Sequence, residues 1–393
     1  MRHLALAAAL LFATPALAAN TDAGKYQAVL GDCAGCHGKD LAGGVTLMTP
    51  FGKLVTPNIT FDKDTGIGNW SGEDFRQAMK QGVSPGGKLL YPAMPYVNYA
   101  RMSDGDIAAL WTWLRGVKPV HNTVNTNQLR FPFNLRFMMR GWNILFFRPT
   151  PLPAQPWKGA AWNRGAYLVT GAAHCATCHT PKNWFGADKS LVLSGASLQG
   201  WFAPDLTSDA KAGLGSWSAD DIVQYLATGK NAHSIASGPM AEAVENSTSK
   251  MADADLKAIA TYLKDLPPSA GNGGGASGIE AQKKSGVTLY DVNCAACHGR
   301  DGRGSVIFPP LAGSAVVNQS SAETLVRVVL AGTKGAATAR APTGQAMPSF
   351  AWKLNDVQVA DILTYVRNNW GNGAPTVSAD TVGKIRTGLH SGS

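Results

Sequence analysis

The pentapeptide Cys33-Ala34-Gly35-Cys36-His37 recurs twice along the chain, as Cys175-Ala176-Thr177-Cys178-His179 and as Cys294-Ala295-Ala296-Cys297-His298. The three copies contain all six cysteines of the 393 residues. Cys-x-x-Cys-His is the attachment motif of c-type haem. Cysteines three positions apart lie on one face of a helical turn, so both sulfurs can form thioethers with the vinyl groups of one porphyrin. The histidine that follows is then held beneath the iron as an axial ligand.

The repeated motif therefore predicts three covalently bound haem c groups, one for each copy. The predicted thioether residues are Cys33, Cys36, Cys175, Cys178, Cys294 and Cys297. The predicted histidine ligands of the iron are His37, His179 and His298.

Three other uses of these cysteines fit the pattern less well. Disulfides within the motif would close loops too short to constrain the chain much, because the stabilisation grows with loop length. A zinc site would have two cysteines and one histidine but no fourth ligand at the usual spacing. A thioredoxin-like dithiol gives no reason for a histidine after every copy.

Composition narrows the class of protein further. Arg2, an apolar run over residues 4–13 and the small-residue site Ala16-Leu17-Ala18 are typical of a secretory signal, so we expect residues 1–18 to be removed on export. No later run reaches the ~18 apolar residues of a membrane span. The net charge is +9, but the basic residues are scattered without interleaved aromatic residues, which argues against a nucleic-acid partner.

The surroundings of the motif are also repeated. We expect each motif near the end of a short helix that opens with a glycine, at Gly24, Gly165 and Gly286. An amphipathic helix is expected to close each repeat; its candidate N-caps are Ser103 or Asp104, Asp253, and Asn355. The first two repeats also share Gly66-Ile67-Gly68-Asn69-Trp70-Ser71 and Gly213-Leu214-Gly215-Ser216-Trp217-Ser218. The two tryptophans could donate to haem propionates or simply pack in the core.

This triplication predicts a mainly α chain with domains over residues 19–150, 157–270 and 279–372. A proline-rich connector over residues 149–156 and a glycine-rich one over residues 271–278 would separate them. The tail over residues 373–393 has little apolar periodicity, so we expect an irregular or partly disordered strap.

The chain resembles the class I cytochrome c fold, repeated three times. More narrowly, it is similar to the three-haem cytochrome c subunit of bacterial membrane-bound dehydrogenases, the group acting on gluconate, fructose, sorbitol and alcohols. The matching stretches are Thr56-Pro57-Asn58-Ile59-Thr60, Tyr91-Pro92-Ala93-Met94-Pro95-Tyr96, Gly238-Pro239-Met240-Ala241-Glu242 and Trp370-Gly371-Asn372.

Methionines are the predicted second axial ligands. Met347 is the only methionine after Met251, and it lies in a loop-like context before the closing helix. Met94 has a similar context in the first repeat. Met240 is the candidate in the second repeat, with support from the resemblance, and His233 is its alternative. Other methionines of the first repeat are poorer candidates, because of helix packing or of their position: Met48, Met79 and Met102.

Residues 130–148 are not explained by the repeat. After Pro132 we expect a helix with Arg136, Arg140 and Arg148 in one sector. The opposite face would be apolar, with Leu135, Met138, Met139, Trp142, Leu145 and Phe146. Such a helix suits a membrane interface or a groove on a partner subunit, and the alternative is internal packing against the second repeat.

Histidine and methionine together fill both axial positions and leave no site for a substrate, and no other catalytic motif is present. We therefore expect a non-catalytic electron carrier. The resemblance implies a dehydrogenase catalytic subunit as donor, ubiquinone or a terminal oxidase as acceptor, and a periplasmic location with peripheral membrane contact. A free-standing shuttle and a multihaem peroxidase are the alternatives.

Overall fold

The computed structural model describes residues 14–269 and 280–391. These residues form two compact units. The first contains the residues up to Ala154 together with Thr170–His174, and the second contains Gln155–Val169 and the residues from Cys175 onward. The second unit therefore holds two of the three repeats. Residues 1–13 of the expected signal and the glycine-rich connector over 271–278 lie outside the described residues.

The first unit is mainly helical with two small antiparallel sheets. Its helices are α1 (Thr14–Leu30), α2 (Cys33–His37), α3 (Gly72–Gln81), α4 (Tyr96–Tyr99), α5 (Asp104–Leu114) and α6 (Met138–Phe146). Its strands are β1 (Thr46–Thr49), β2 (Gly52–Val55), β3 (Val83–Ser84), β4 (Lys88–Leu89) and β5 (Asn127–Leu129). Strand β2 lies between β1 and β5, and β3 pairs with β4.

The second unit contains two further repeats of a helix, a cysteine-bearing turn and a closing helix. Its first repeat contains α7 (Gly159–Tyr167), α8 (Ala176–His179), β6 (Ser194–Leu198), β7 (Trp201–Asp205), α9 (Ala219–Thr228), α10 (Pro239–Asn246) and α11 (Asp253–Lys264). The next contains α12 (Glu280–Asn293), α13 (Ala295–His298), α14 (Glu323–Ala331), β8 (Thr333–Lys334), β9 (Ala346–Met347), α15 (Asp356–Arg367) and α16 (Ala379–Ser391). The prediction of a mainly α chain is confirmed.

In every repeat the helix before the cysteine motif packs on the closing helix, as α1 on α5, α7 on α11 and α12 on α15. A glycine lies at each crossing: Gly24, Gly165 and Gly286. A Cβ built on these glycines would lie 2.0, 2.0 and 2.4 Å from the carbonyl oxygens of Ala109, Ala258 and Asp361. The glycines thus lie inside the helices, and the expectation that they open them is wrong. Only a residue without a Cβ permits this close approach.

The helix caps agree in part with expectation. Ser103 accepts a hydrogen bond from the backbone N–H of Asp106, and Asn355 accepts one from Gln358, so both are N-caps. Asp253 is not a cap, because α11 begins at that residue and Ala252 precedes it. The shared Trp-Ser stretch has a similar explanation, since Ser71 and Ser218 form capping boxes at the starts of α3 and α9.

Residues 379–391 of the C-terminal tail form helix α16, so the expectation of an irregular strap is wrong for that part. Val377 and Val382 are buried in the core of the last repeat beside α14 and α15. Arg386 forms a salt bridge with Asp356 at 2.7 Å and donates to the carbonyl oxygen of Leu354. These contacts are long-range, and apolar periodicity within the tail does not reveal them.

The segment over residues 130–148 forms a shorter helix than expected. Pro132 is followed by turns, and α6 begins only at Met138, so Arg148 lies beyond its end. Arg136 is in the turn, where its guanidinium lies 4.7 Å from the ring centre of Tyr91 and donates to the carbonyl oxygen of Leu89. The expected single arginine sector is therefore absent.

Within the second unit, the two repeats are joined by polar contacts. Thr324 on α14 accepts a hydrogen bond from the N–H of Phe202 on β7. Gln319 donates to the carbonyl oxygen of Ala212, and Arg327 lies over the ring of Trp201 at 5.2 Å. These contacts explain why the two repeats form one unit.

Within residues 14–269 and 280–391, no helix combines the length and the apolar character needed to cross a membrane.

Candidate haem sites

The cysteine motifs form single helical turns. In the first repeat all five motif residues belong to α2, whereas Cys175 and Cys294 occupy the N-cap positions of α8 and α13. All six cysteines are free thiols. Two thiols three positions apart on a turn are the donor set that a pair of vinyl groups requires.

The first thiol of each motif is not activated for redox chemistry. Burial raises the pKa of Cys33 and of Cys175 to about 12, and that of Cys294 to about 11. Catalytic dithiols have the opposite property, a lowered pKa that exposes a thiolate. The motif residues therefore fit covalent attachment better than thiol exchange.

The three motif histidines share one hydrogen bond, which supports their prediction as iron ligands. Nδ1 of each ring lies against the carbonyl oxygen of a proline: Pro57 at 2.8 Å for His37, Pro204 at 2.7 Å for His179 and Pro309 at 3.0 Å for His298. A carbonyl oxygen only accepts, so Nδ1 carries the proton and donates it. The lone pair of a neutral ring is then on Nε2, the atom available to a metal.

Burial keeps these rings neutral. It lowers the pKa of His37, His179 and His298 below the ordinary value of 6.5, because the charged ring is poorly solvated there. A fixed tautomer and a neutral ring are what an axial ligand needs, so the residues present fit the iron of a haem.

The proline acceptors were not predicted, although a signal exists. In the first two repeats the proline begins a Pro-Asx-x-Thr stretch, Pro57-Asn58-Ile59-Thr60 and Pro204-Asp205-Leu206-Thr207. Asn58 and Asp205 accept hydrogen bonds from the N–H groups of Thr60 and Thr207, which fixes the turn after the proline. The third repeat has Pro309-Pro310 instead. Because the prolines lie 20, 25 and 11 residues after their histidines, no fixed spacing reveals them.

The three candidate methionines lie on different local structures. Met94 is half-buried in a turn just before α4, where its N–H donates to the carbonyl oxygen of Tyr91. Met347 is in β9, opposite Thr333 of β8. Met94 agrees with the loop-like context expected from the sequence, whereas Met347 lies in a short strand, so that expectation is wrong for Met347.

Met240 differs from the other two. It lies in the first turn of α10, which begins at Pro239, so the expectation of an equivalent loop is wrong. Its side chain packs partly against Ala236, Ala241 and Val244.

The alternative ligand of the second repeat is already engaged by protein groups. The ring of His233 stacks on Trp217 at 5.2 Å and 16°, and its Nε2 lies 3.3 Å from a carboxylate oxygen of Asp221. The ring is therefore held by the start of α9. This arrangement favours Met240 as the ligand and gives Trp217 a packing role.

Two further histidines have protein partners. His174 is next to Cys175 but is partly buried, and its Nε2 donates to the carbonyl oxygen of Gly31 at 3.1 Å. Its ring meets that of Tyr99 edge-on at 5.5 Å. His121 lies 3.5 Å from Asp62. The side chain of His390 is outside the described residues.

The backbone before the three methionines has a common feature that the sequence does not predict, a helix that ends at a glycine and is followed by a short antiparallel bridge. Helices α3, α9 and α14 each end at a glycine with positive φ, at 66° for Gly82, 78° for Gly229 and 72° for Gly332. A short antiparallel bridge follows each glycine, as β3 with β4, Lys230 with Ile235, and β8 with β9.

Comparison with known proteins agrees with this geometry. Residues 21–118, 163–267 and 284–370 match the cytochrome c family. The chain is 39% identical to the cytochrome c subunit of alcohol dehydrogenase (quinone) from Gluconobacter oxydans, with 93% of this chain and 81% of that protein covered. It is 37% identical to the fructose dehydrogenase cytochrome subunit of Gluconobacter japonicus (93% and 82% covered) and 38% identical to the gluconate 2-dehydrogenase cytochrome c subunit of Pantoea cypripedii (92% and 88% covered). The chain therefore belongs to the cytochrome c family of haem-containing electron-transport proteins, in the group of dehydrogenase cytochrome c subunits.

Proposed function

We propose that this chain binds three haem c groups and carries electrons away from a dehydrogenase catalytic subunit. The observation that supports three sites is the repeated pair of a motif histidine and a proline carbonyl, which leaves Nε2 available in every repeat. Each site also has two thiols on one helical turn. The domain boundaries 19–150, 157–270 and 279–372 remain part of this proposal.

The proposed ligand pairs are His37 with Met94, His179 with Met240 and His298 with Met347. When bound, haem c supplies an iron that changes reversibly between two oxidation states by one electron. The protein's part would be to hold the histidine and the methionine of each pair and to exclude water. A thioether is a weak, neutral ligand that favours the reduced iron and so raises the potential.

The donor and acceptor are inferred from the relatives. Their names place them in dehydrogenases for alcohols, fructose and gluconate. We infer a separate catalytic subunit with a flavin, quinone or molybdenum cofactor as donor, and ubiquinone or a terminal oxidase as acceptor. Such a protein would act in the periplasm at the outer face of the inner membrane, consistent with the expected signal over residues 1–18.

The haem count tests the first part. A pyridine haemochrome assay on the purified protein is expected to give three haems per chain, and the Cys294→Ser/Cys297→Ser variant to give two. Fewer than three haems in the unmodified chain would contradict the proposal.

The partner is tested by reduction kinetics. Co-expression with the neighbouring dehydrogenase genes is expected to make haem reduction depend on added alcohol, aldehyde, sugar or sugar acid. The chain alone is expected neither to oxidise these substrates nor to reduce hydrogen peroxide. Peroxide turnover would favour the multihaem peroxidase, and reduction without any stable complex would favour the free-standing shuttle.

A further inference from the structure

Helix α6 of the first unit presents large apolar side chains to solvent. Along and just before it, Phe131, Phe137, Met138, Ile144 and Leu145 are 78, 72, 43, 74 and 73% exposed. Four of these residues follow a helical spacing of i, i+1, i+7 and i+8, with Gly141 between them. We call the four side chains with this spacing, Phe137, Met138, Ile144 and Leu145, the outer face of α6.

The other side of the same helix is already packed. Met139 and Phe147 are buried, and Tyr96 meets the rings of Trp142 and Phe147 edge-on at 6.5 and 5.0 Å. The hydroxyl of Tyr96 also donates to the side-chain oxygen of Asn143 at 2.8 Å. These contacts all lie within the first unit. The inner side of α6 therefore supplies its packing in the first unit, and the outer face takes no part in that packing.

The charged residues nearest to the outer face in the sequence have one sign. Arg140 on α6, Arg148 just after it and Arg130 before it are exposed, and within the described ranges none of them forms a salt bridge. Between Asp106 and Asp188 the chain contains no acidic residue. An apolar stripe bordered by arginines matches an anionic lipid surface, where side chains enter the acyl boundary and guanidinium groups meet phosphates.

Length and chemistry favour lipid over the alternatives. A helix of nine residues is about 13 Å long, far less than the ~30 Å of a bilayer core, so α6 would lie in the interface. The outer face consists of Phe, Met, Ile and Leu without a hydrogen-bonding side chain, whereas protein interfaces pair apolar anchors with matched polar groups. Apolar patches of this kind are uncommon on monomeric proteins.

We propose that the outer face of α6 binds the surface of an anionic lipid bilayer, with the three arginines on the headgroups. This contact would hold the chain at the membrane independently of any catalytic subunit. It does not depend on the identity of the electron donor.

Vesicle sedimentation of the purified haem-loaded protein tests the proposal. We expect binding to vesicles containing about one third phosphatidylglycerol in phosphatidylcholine, and much weaker binding to phosphatidylcholine alone. The variant Phe137→Ser/Ile144→Ser/Leu145→Ser is expected to lower partitioning about a hundredfold, since each change removes an inserted apolar side chain. Its haem spectrum should be unchanged, because all three side chains are exposed. Trp142 and Phe146 are left intact, as they are only partly exposed.

A matched control removes exposed apolar side chains elsewhere. Trp184, Val306 and Trp352 are 94, 97 and 82% exposed, and the variant carrying serine at all three should bind vesicles like the unmodified protein. Equal loss in both variants would overturn the proposal, because binding would then be nonspecific.

A second variant tests charge without touching the apolar residues. Arg130→Gln/Arg140→Gln/Arg148→Gln is expected to weaken binding to phosphatidylglycerol vesicles by about fivefold per arginine. It also provides the test if the serine variant loses haem. Absence of vesicle binding by the unmodified protein would overturn the proposal. If the serine variant instead fails only to copurify with a co-expressed dehydrogenase, the outer face binds protein and not lipid.

Discussion

Each repeat has a histidine side, the backbone around its cysteine motif, and a methionine side, the backbone around its candidate methionine. The histidine side is similar in all three repeats, whereas the methionine side differs. On the histidine side, the same three features recur: a glycine at the helix crossing, a cysteine-bearing turn and a proline carbonyl at Nδ1. On the methionine side, the residue lies in a turn at Met94, in a helix at Met240 and in a strand at Met347.

The difference reflects what each ligand requires. In the proposed haem sites, two thioethers and a ring with a fixed tautomer would constrain the backbone at several points, so that geometry would be repeated. A methionine has three rotatable bonds and one soft donor atom, so its sulfur could reach the iron from different backbones. The side chain, and not the backbone, would then absorb the variation.

The helix crossing gives the largest expected effect. In Gly165→Val the new Cβ would lie 2.0 Å from the carbonyl oxygen of Ala258, and backbone cannot yield as a side chain can. We expect the free energy of unfolding to fall by about 4 kcal/mol or more, measured by urea denaturation. The matched control is Gly141→Ala in α6, where a Cβ meets nothing within 4 Å; it should be neutral or stabilising by up to about 1 kcal/mol. Similar stability of both variants would show that the crossing is adaptable.

The methionine side can be tested by three parallel substitutions. Met94→Ala, Met240→Ala and Met347→Ala should each remove one sulfur-to-iron band in the near infrared. Each should also lower one midpoint potential by roughly 0.1 V, within the range of about 0.8 V that axial ligands span. The control is Met48→Ala, since that side chain is exposed. If Met240→Ala leaves every potential unchanged, the different backbone there marks a different ligand.

A smaller effect tests how the backbone supports Met347. Gly332 has a φ of 72°, and an added Cβ would lie 2.6 Å from the carbonyl oxygen of Met347. Gly332→Ala is expected to cost about 2 to 3 kcal/mol and to weaken the near-infrared band of that haem.

Gly313 is the matched control for this change. Its φ is 64°, but a Cβ there meets nothing within 4 Å, so Gly313→Ala should cost only about 1 to 2 kcal/mol and leave the band intact. Equal effects of the two variants on the band would contradict a link between Gly332 and the ligand.

The smallest effect is a pH dependence next to the second cysteine motif. Burial lowers the pKa of His174 below 6.5, so the unfolded chain binds a proton there more readily than the folded chain. The stability that His174 contributes is therefore present above pH 6.5 and is lost as the pH falls toward its folded pKa. The difference in unfolding free energy between the unmodified protein and His174→Asn should shrink on acidification. A constant difference would show that the ring does not titrate on unfolding.

Local signals in the sequence are sufficient for two of the helix caps. Ser103 and Asn355 are predicted as caps because capping is a contact over three residues. The predicted N-cap Asp253 differs from the observed N-cap position by one residue. Such shifts are usual, because several polar residues stand together at a helix start.

Long-range contacts account for what could not be predicted. Helix α16 depends on Val377 and Val382 reaching the core of the last repeat, and Arg386 reaches Asp356 thirty positions earlier. Arg367 is fully buried, with its guanidinium donating to the carbonyl oxygens of Val317, Gln319 and Pro375. Burial lowers the pKa of Arg367 to about 10. Nothing near Arg367 in the sequence indicates acceptors that lie up to fifty positions away.

The sequence by itself determined the family of this protein and indicated which side chains belong to the three attachment motifs. Those properties depend on residue type and on spacing within a single turn. Only the tertiary structure decided which proline carbonyl holds each histidine, where each methionine lies and which side of α6 is exposed. Each of these depends on the packing of segments that are far apart in the chain, and the local sequence does not indicate which segments meet.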